Sequence, residues 1–564
     1  MTLRLVALFA AITLLLAYPL SFHPATHVVS AAPDTDLFLW TLAWDAHALA
    51  TRPLDIFDAN IYAPQRLTLA YSENLIGSAL FAAPVLWITR NPVLAMNLVA
   101  LLSAVLCGLG AWWLARRVGV SKEGAVVAGL VFAFSPPRFL RLDQIHLVAL
   151  QWIPFALAAF HGYLGTGRRA DLWLTALFFS LQVLSSGHGA VFLSLALLLV
   201  FVWHTGLGGG RLDIPRRVRD FGWQGVLLMT PVAASLAPYF AVQREIGLRR
   251  TLSDWTAVPG TSFLASPSHI WGAVLSLVPD ARINETAGAY LFPGVLPIAL
   301  AVAAFAWPDS TSRRHATTRS EAAVDGGPWS TQPRFAYLVL VLGALWLAAG
   351  PPIGIWPLVY WLPGMNFIRA PNRFTLLAIL GLAVLAGAGF DRVASSLRRR
   401  ASLAAVLGGL MIVEFAAVPL GTEPYAVVIP AIDRWVGRLA RAEGPLTVAE
   451  VPLPDSRDLN RRERRQTLFM LHATAHWQKT VHGYSGTRPP QHDALYRAML
   501  RFPDNDSLAR LQALGVTHVV VHSELYAPDE WPEVNARLAA FGSRLQFLHE
   551  EAGGRVYALA AGGR

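Results

Sequence analysis

Asp34 and Asp36 stand two residues apart, directly after the first apolar stretch of the chain. Carboxylates in that position have two uses in chemistry. One can take the proton of an acceptor hydroxyl as a general base, or the pair can hold a divalent cation in front of a phosphate. A competing use is local: Asp34 can cap a helix that begins near Leu37 by accepting from its free N–H groups. Capping accounts for one acid and leaves the other unexplained.

Arginines supply the matching chemistry. In Ser135-Pro136-Pro137-Arg138-Phe139-Leu140-Arg141-Leu142-Asp143-Gln144-Ile145-His146, Arg138 and Arg141 carry the planar fork that grips a phosphate, with Asp143 and His146 close by to assist. Arg369 and Arg373 flank the turn at Pro371. They suit either a phosphate or simple snorkelling toward lipid head groups. The long polar stretch 242–289 contains Arg249 and Glu285 and runs up to Tyr290. Its length suits a lid or an acceptor platform. His188 lies in the glycine-flanked turn Ser185-Ser186-Gly187-His188-Gly189, where a structural role competes with a functional one. No glycine-rich phosphate loop, dinucleotide fingerprint or HExxH zinc motif occurs.

The elements that must position these residues follow from composition. Of 564 residues, 54% are hydrophobic and 15% charged, and the mean hydropathy is +0.44. This describes a polytopic membrane protein. The net charge of +10 does not imply a nucleic-acid partner, because the arginines gather in short loops between apolar runs. The single cysteine, Cys107, lies inside an apolar run and excludes an intrachain disulfide.

Apolar runs near 3–20, 75–89, 93–115, 124–136, 147–163, 171–185, 188–206, 222–241, 290–306, 335–350, 373–391 and 401–420 predict a mainly α transmembrane bundle over 1–420. Cationic loops at 116–122, 168–169, 211–219, 313–334 and 392–400 fall on one side if the run at 75–89, broken by Pro84, does not cross. The count is then about eleven spans, with an uncleaved first span and a cytoplasmic N-terminus. The first outer loop, 21–92, carries interfacial helices, among them an amphipathic segment from Leu39 to Leu49. From about Gly421 composition shifts. Leu446–Val451, Gly515–Val521 and the pair Arg544–Leu548 and Arg555–Leu559 read as strands, and Asp493–Leu500 and Ser507–Leu514 as helices. A soluble extracytoplasmic α/β or α+β domain over 421–564 is expected. Its Trp477 and Tyr484 offer aromatic faces to a glycan, or simply cap the bundle.

A first span followed by an outer-loop acidic pair resembles the GT-C superfamily of polyprenyl-phosphate-dependent glycosyltransferases. Trp44-Asp45-Ala46-His47, Phe57-Asp58-Ala59-Asn60-Ile61-Tyr62-Ala63-Pro64, Leu69-Ala70-Tyr71-Ser72-Glu73-Asn74, Gln151-Trp152-Ile153-Pro154, Arg369-Ala370-Pro371-Asn372-Arg373-Phe374 and His482-Gly483-Tyr484-Ser485-Gly486 are similar to the bacterial YfhO-like membrane proteins. The resemblance implies transfer of a sugar, with inversion, from a polyprenyl-phosphate donor to a glycan, lipid or protein acceptor on the outer face of the cytoplasmic membrane. It implies Asp34 or Asp36 as base or positioning acid, with Asp34 favoured. It maps Asp143 onto a second-loop acid, although Asp-Gln-Ile-His departs from the clearer acidic motif of the superfamily. Glu73, Arg249, Glu285, Tyr290 and His188 fall to the acceptor or lid, and Arg138, Arg141, Arg369 and Arg373 to the donor phosphate. No obligatory cofactor is implied, and the one candidate metal site is Asp34 with Asp36. The rival readings are a flippase of lipid-linked sugars and a non-catalytic assembly protein of the cell envelope.

Overall fold

Apolar runs without proline or polar breaks close their backbone hydrogen bonds internally as helices, and small residues then decide how closely those helices approach. The computed structural model describes residues 2–207, 219–247, 270–271, 274, 290–306, 332–349, 354–362, 364–368 and 370–560. These fall into two units, one of 1–23, 97–235 and 249–422 and one of 24–96, 236–248 and 423–564.

The first unit is helical. Helix Thr375–Val393 is its centre, packed on Lys122–Phe134, Val295–Ala306 and Gln332–Ala348. The approach is close enough to need glycine. A Cβ on Gly389 would lie 1.7 Å from the Leu300 carbonyl oxygen, and Gly387 and Gly124 face each other with no room for one on either side. Glu414, the clearest charge within an apolar run, is spent structurally. Its Oε2 accepts from the Leu296 N–H at 3.1 Å, and its Oε1 accepts from the Val295 N–H and from Trp271 Nε1. It therefore serves the free N–H groups at the start of helix Val295–Ala306.

Among the described residues, four helices are long and apolar enough to cross a membrane: Pro92–Arg117, Ile145–Thr166, Gly187–Thr205 and Pro371–Ser396. They coincide with four of the expected runs. Four further apolar helices, among them Leu3–Leu16 and Val295–Ala306, are shorter than a straight span, so length does not establish the expected eleven spans. Ile76–Thr89, with Pro84 inside it, is also a short apolar helix.

The second unit is built on a five-stranded mixed sheet. Strands β1 (His27–Val28) and β2 (Glu423–Pro424) form a separate antiparallel pair, and β3 (Thr447–Val451), β4 (Lys479–Thr480), β5 (His518–His522), β6 (Leu545–Glu551) and β7 (Gly554–Leu559) form the sheet in the order β4-β3-β5-β7-β6. β3 runs parallel to β4 and β5, and β7 is antiparallel to β5 and β6. Side chains alternate between faces. Val448, Val520 and Val556 meet Ile432 and Val436 of helix Ala431–Glu443. Ala449, Val451, Val519 and Val521 meet the opposite layer, which includes Phe469, Leu495, Met499, Leu508, Leu511 and Leu538.

The five strands of the sheet all come from the C-terminal segment, but residues 24–96 are part of the same unit. Asn60 to Ala63 extend the sheet beyond β4: the Thr480 N–H donates to Asn60 at 2.7 Å, and the Ala63 N–H donates back to Thr480 at 2.9 Å. Helix Pro33–Thr51 is buried at every position from Thr35 to Leu42, so it is a core helix and not the expected amphipathic one. The Tyr62 ring lies where a side chain on Gly483 would stand, with a Cβ there only 2.6 Å from it. Gly483→Ala is expected to lower stability by about 1–3 kcal/mol, the usual effect of overpacking, and thermal unfolding in detergent reads it as a lower Tm. An unchanged Tm would mean that Tyr62 does not set this contact.

Candidate active site

Pro33 occupies the first helical position, where its missing N–H costs nothing. The helix therefore starts before Leu37, and Ala32, not Asp34, is its cap residue. The capping use of Asp34 is thus excluded. Both acids sit in the first turn, where the positive end of the helix dipole favours a carboxylate.

Their surroundings differ. Asp36 is 8% exposed, and its two oxygens accept from the Tyr425 hydroxyl and, at 2.6 Å, from Thr467 Oγ1. Burial pushes its carboxyl above the usual range, opposed by these two hydroxyls and by Arg464. Asp34 is exposed and accepts from the Tyr484 hydroxyl at 2.6 Å. Burial and the facing carboxylates push the Tyr425 and Tyr484 phenols upward, so both remain donors. Asp36 is held in place, while Asp34 is available to a substrate. Each Asp36 oxygen accepts from one hydroxyl donor, which holds the carboxylate in a fixed direction.

The neighbouring element was not singled out from the sequence. Helix Leu459–His472 opens with Asn460-Arg461-Arg462-Glu463-Arg464-Arg465 and carries Thr467 one turn later. Asp458 caps it, accepting from the Asn460 N–H at 2.9 Å. Arg464 donates to the Ala31 carbonyl, immediately before the acidic helix. An open depression of about 400 Å³ is lined by Asp458, Asn460, Arg461, Arg464, Arg465 and Leu468. Three guanidinium groups around one depression suit an anion. The signal was present as four arginines around Glu463, but it lies well after the last apolar run of the sequence. Trp477 stacks on His47 at 4.3 Å, which commits that ring to packing.

The other expected residues that the structure describes lie in the first unit, apart from Glu73. Arg138 is 1% exposed and is tied to the Ala133 and Val148 carbonyls at 2.8 and 2.9 Å and to Ser103 Oγ at 3.0 Å. Arg141 is buried and donates to the Pro137 carbonyl at 2.8 Å and to Gln144 at 3.2 Å. Both guanidinium groups brace the 133–148 turn instead of facing solvent. The structure does bring together His146, His188 and Arg373. The two imidazoles lie 5.6 Å apart, and Arg373 Nη1 is 2.7 Å from His188 Nε2. Asp143 sits half-buried in the same turn as Arg141, Tyr290 is buried, and Glu73 is half-buried in the second unit beside Tyr239. Arg249, Glu285 and Arg369 lie outside the described residues.

No family model matches the chain, and no curated protein matches it. Among solved structures, the arabinofuranosyltransferase AftD from mycobacteria superposes on 99% of this chain with a TM-score of 0.59 and 16% identity. This chain covers 41% of AftD, about two-fifths of its length. The oligosaccharyltransferase of Archaeoglobus fulgidus matches 98% of this chain and 73% of its own with a TM-score of 0.49 and 14% identity. ArnT from Cupriavidus metallidurans matches 100% and 99%, with a TM-score of 0.44 and 13% identity. The AftD superposition shows a fold shared with that membrane arabinofuranosyltransferase over nearly the whole of this chain. Identity at this level carries the fold and no substrate.

Asp45, one helical turn beyond Thr41, is fully buried, and neither oxygen has a hydrogen-bond partner among the described residues. Burial pushes its carboxyl well above the usual range. A raised folded-state pKa gives stability that is complete below the unfolded value of about 3.9 and is lost as pH rises toward the folded one. The Tm of the protein relative to Asp45→Asn is therefore expected to fall as pH is raised from about 4. A pH-independent difference would mean that Asp45 titrates normally.

Proposed function

We propose that this chain is a membrane glycosyltransferase that moves a sugar from a polyprenyl-phosphate donor to a cell-envelope acceptor. It would act on the outer face of the cytoplasmic membrane, with the 421–564 segment on that side and the N-terminus in the cytoplasm. The observation that carries this reading is an exposed carboxylate, Asp34, at the positive end of a buried helix in the same unit as an arginine-lined depression. The GT-C fold supports it as an analogy at the level of fold. The similarity to YfhO-like proteins in the quoted motifs agrees with it.

In this mechanism Asp34 takes the proton of the acceptor hydroxyl. The freed oxygen attacks the anomeric carbon, and the bond from that carbon to the donor phosphate breaks with inversion. The polyprenyl phosphate leaves with the bonding pair, and Arg461, Arg464 and Arg465 offset its charge. These three replace Arg138 and Arg141 as the favoured phosphate ligands, because the latter are occupied by backbone carbonyls. Asp36 positions the turn through Tyr425 and Thr467. His146, His188 and Arg373 form a separate polar group within the first unit, to which this mechanism assigns no step.

The test is donor consumption by purified protein in liposomes supplied with a panel of polyprenyl-phosphate sugars. Asp34→Asn is expected to lower turnover by about 10²–10⁴, the usual contribution of a general base, with an unchanged Tm. Arg464→Gln should raise KM for the donor more than it lowers kcat. Full transfer by both Asp34→Asn and Asp36→Asn would contradict the assignment. Lipid movement across the bilayer without donor consumption would favour the flippase instead.

A further inference from the structure

A second constellation lies away from Asp34, and the transfer chemistry makes no use of it. Glu450 of β3 follows Val448 by two residues, and His522 of β5 follows Val520 by two. Both therefore point to the sheet face that helix Ala431–Glu443 covers. Asp433 comes from that helix, and His472 is the last residue of helix Leu459–His472. His472 Nδ1 and His522 Nε2 each lie 2.9 Å from Glu450 Oε2, and Asp433 Oδ2 lies 3.7 Å from His472 Nδ1. One atom from each of the four residues falls within 4.8 Å of all the others.

We propose that Asp433, Glu450, His472 and His522 bind one divalent transition-metal cation, zinc by the character of the donor set. Two imidazole nitrogens and two carboxylate oxygens suit tetrahedral zinc, whose bonds of about 2.0–2.2 Å place ligand atoms roughly 3.3 Å apart. The observed separations of 2.9, 2.9 and 3.7 Å bracket that edge.

Satisfaction of polar groups points the same way. All four side chains are 4% exposed or less. Both oxygens of Asp433 and Oε1 of Glu450 lack a hydrogen-bond partner among the described residues. Buried carboxylates left so are costly unless a cation or donor meets them. Two carboxylates, two neutral imidazoles and one divalent cation sum to zero charge. Glu524 stands just outside the set, its Oε1 3.3 Å from His522 Nδ1. The ion would tie β3 and β5 to two helices distant in sequence, which makes it a structural site with no open position for substrate.

The experiment uses full-length, tag-free protein in detergent, stripped with a chelator, incubated with zinc and desalted, with metal measured by mass spectrometry. About one zinc per chain is expected, together with a higher Tm than the stripped protein. Asp433→Asn combined with His472→Gln should reduce retained zinc at least tenfold. Cobalt substitution of the unmutated protein should give the intense visible bands of a tetrahedral site, a readout that does not depend on the variant folding. Failure to retain zinc, with Tm unmoved, would mean an ion-pair cluster only and would overturn the proposal. So would zinc retained equally by the double variant, or cobalt bands of an octahedral site.

Discussion

The second unit depends on how one buried carboxylate is satisfied. Asp36 is nearly out of water, and an ionised carboxyl there is tolerable only because hydroxyls answer both of its oxygens. Those hydroxyls come from positions 389 and 431 residues further along the chain. Tyr425 directly follows β2, whose pairing with β1 anchors the segment just before the acidic helix. Thr467 stands one turn beyond the arginines of its own helix. A single contact therefore fixes the direction of the acidic helix, the exposure of Asp34 beside Tyr484 and the approach of Arg464.

Different physics holds the helical unit. Its contacts are backbone against backbone at Gly387, Gly389 and Gly124, where packing and not water provides the association. Two of its buried charged groups are used internally. Glu414 serves a helix start, and Arg138 binds two carbonyls. A path for ions or sugars through a bilayer needs polar groups left available along it, whereas these two are engaged by their own backbone.

Much of this was legible in the sequence. Apolar runs gave the helices, Val519-Val520-Val521 gave β5 because a strand buried on both faces reads as continuous Val, and Leu446–Val451 before Pro452 gave β3. The acidic pair stood out because carboxylates are rare beside an apolar stretch. Other features were hidden for identifiable reasons. Pro33 signals a first helical position, and weighing it would have started the helix earlier and removed Asp34 from the cap. Helix Leu459–His472 has too polar an opening for periodicity to reveal it. Arg138 looks like a surface residue from its type, and only the folded 133–148 turn shows that carbonyls surround it. Asp433, Glu450, His472 and His522 span ninety residues with no motif spacing, so only sheet register assembles them.

Asp36 joins the acidic helix to the arginine helix through Thr467, and this union holds Asp34 in its place at the helix start. A double-mutant cycle between Asp36→Asn and Thr467→Val, read as both Tm and donor turnover in liposomes, measures it directly. Residues in one hydrogen-bond network couple by about 0.5–3 kcal/mol, so the double variant should lose little more than the worse single variant in both readouts. Losses that simply add would show that the two side chains act independently, and would contradict the account.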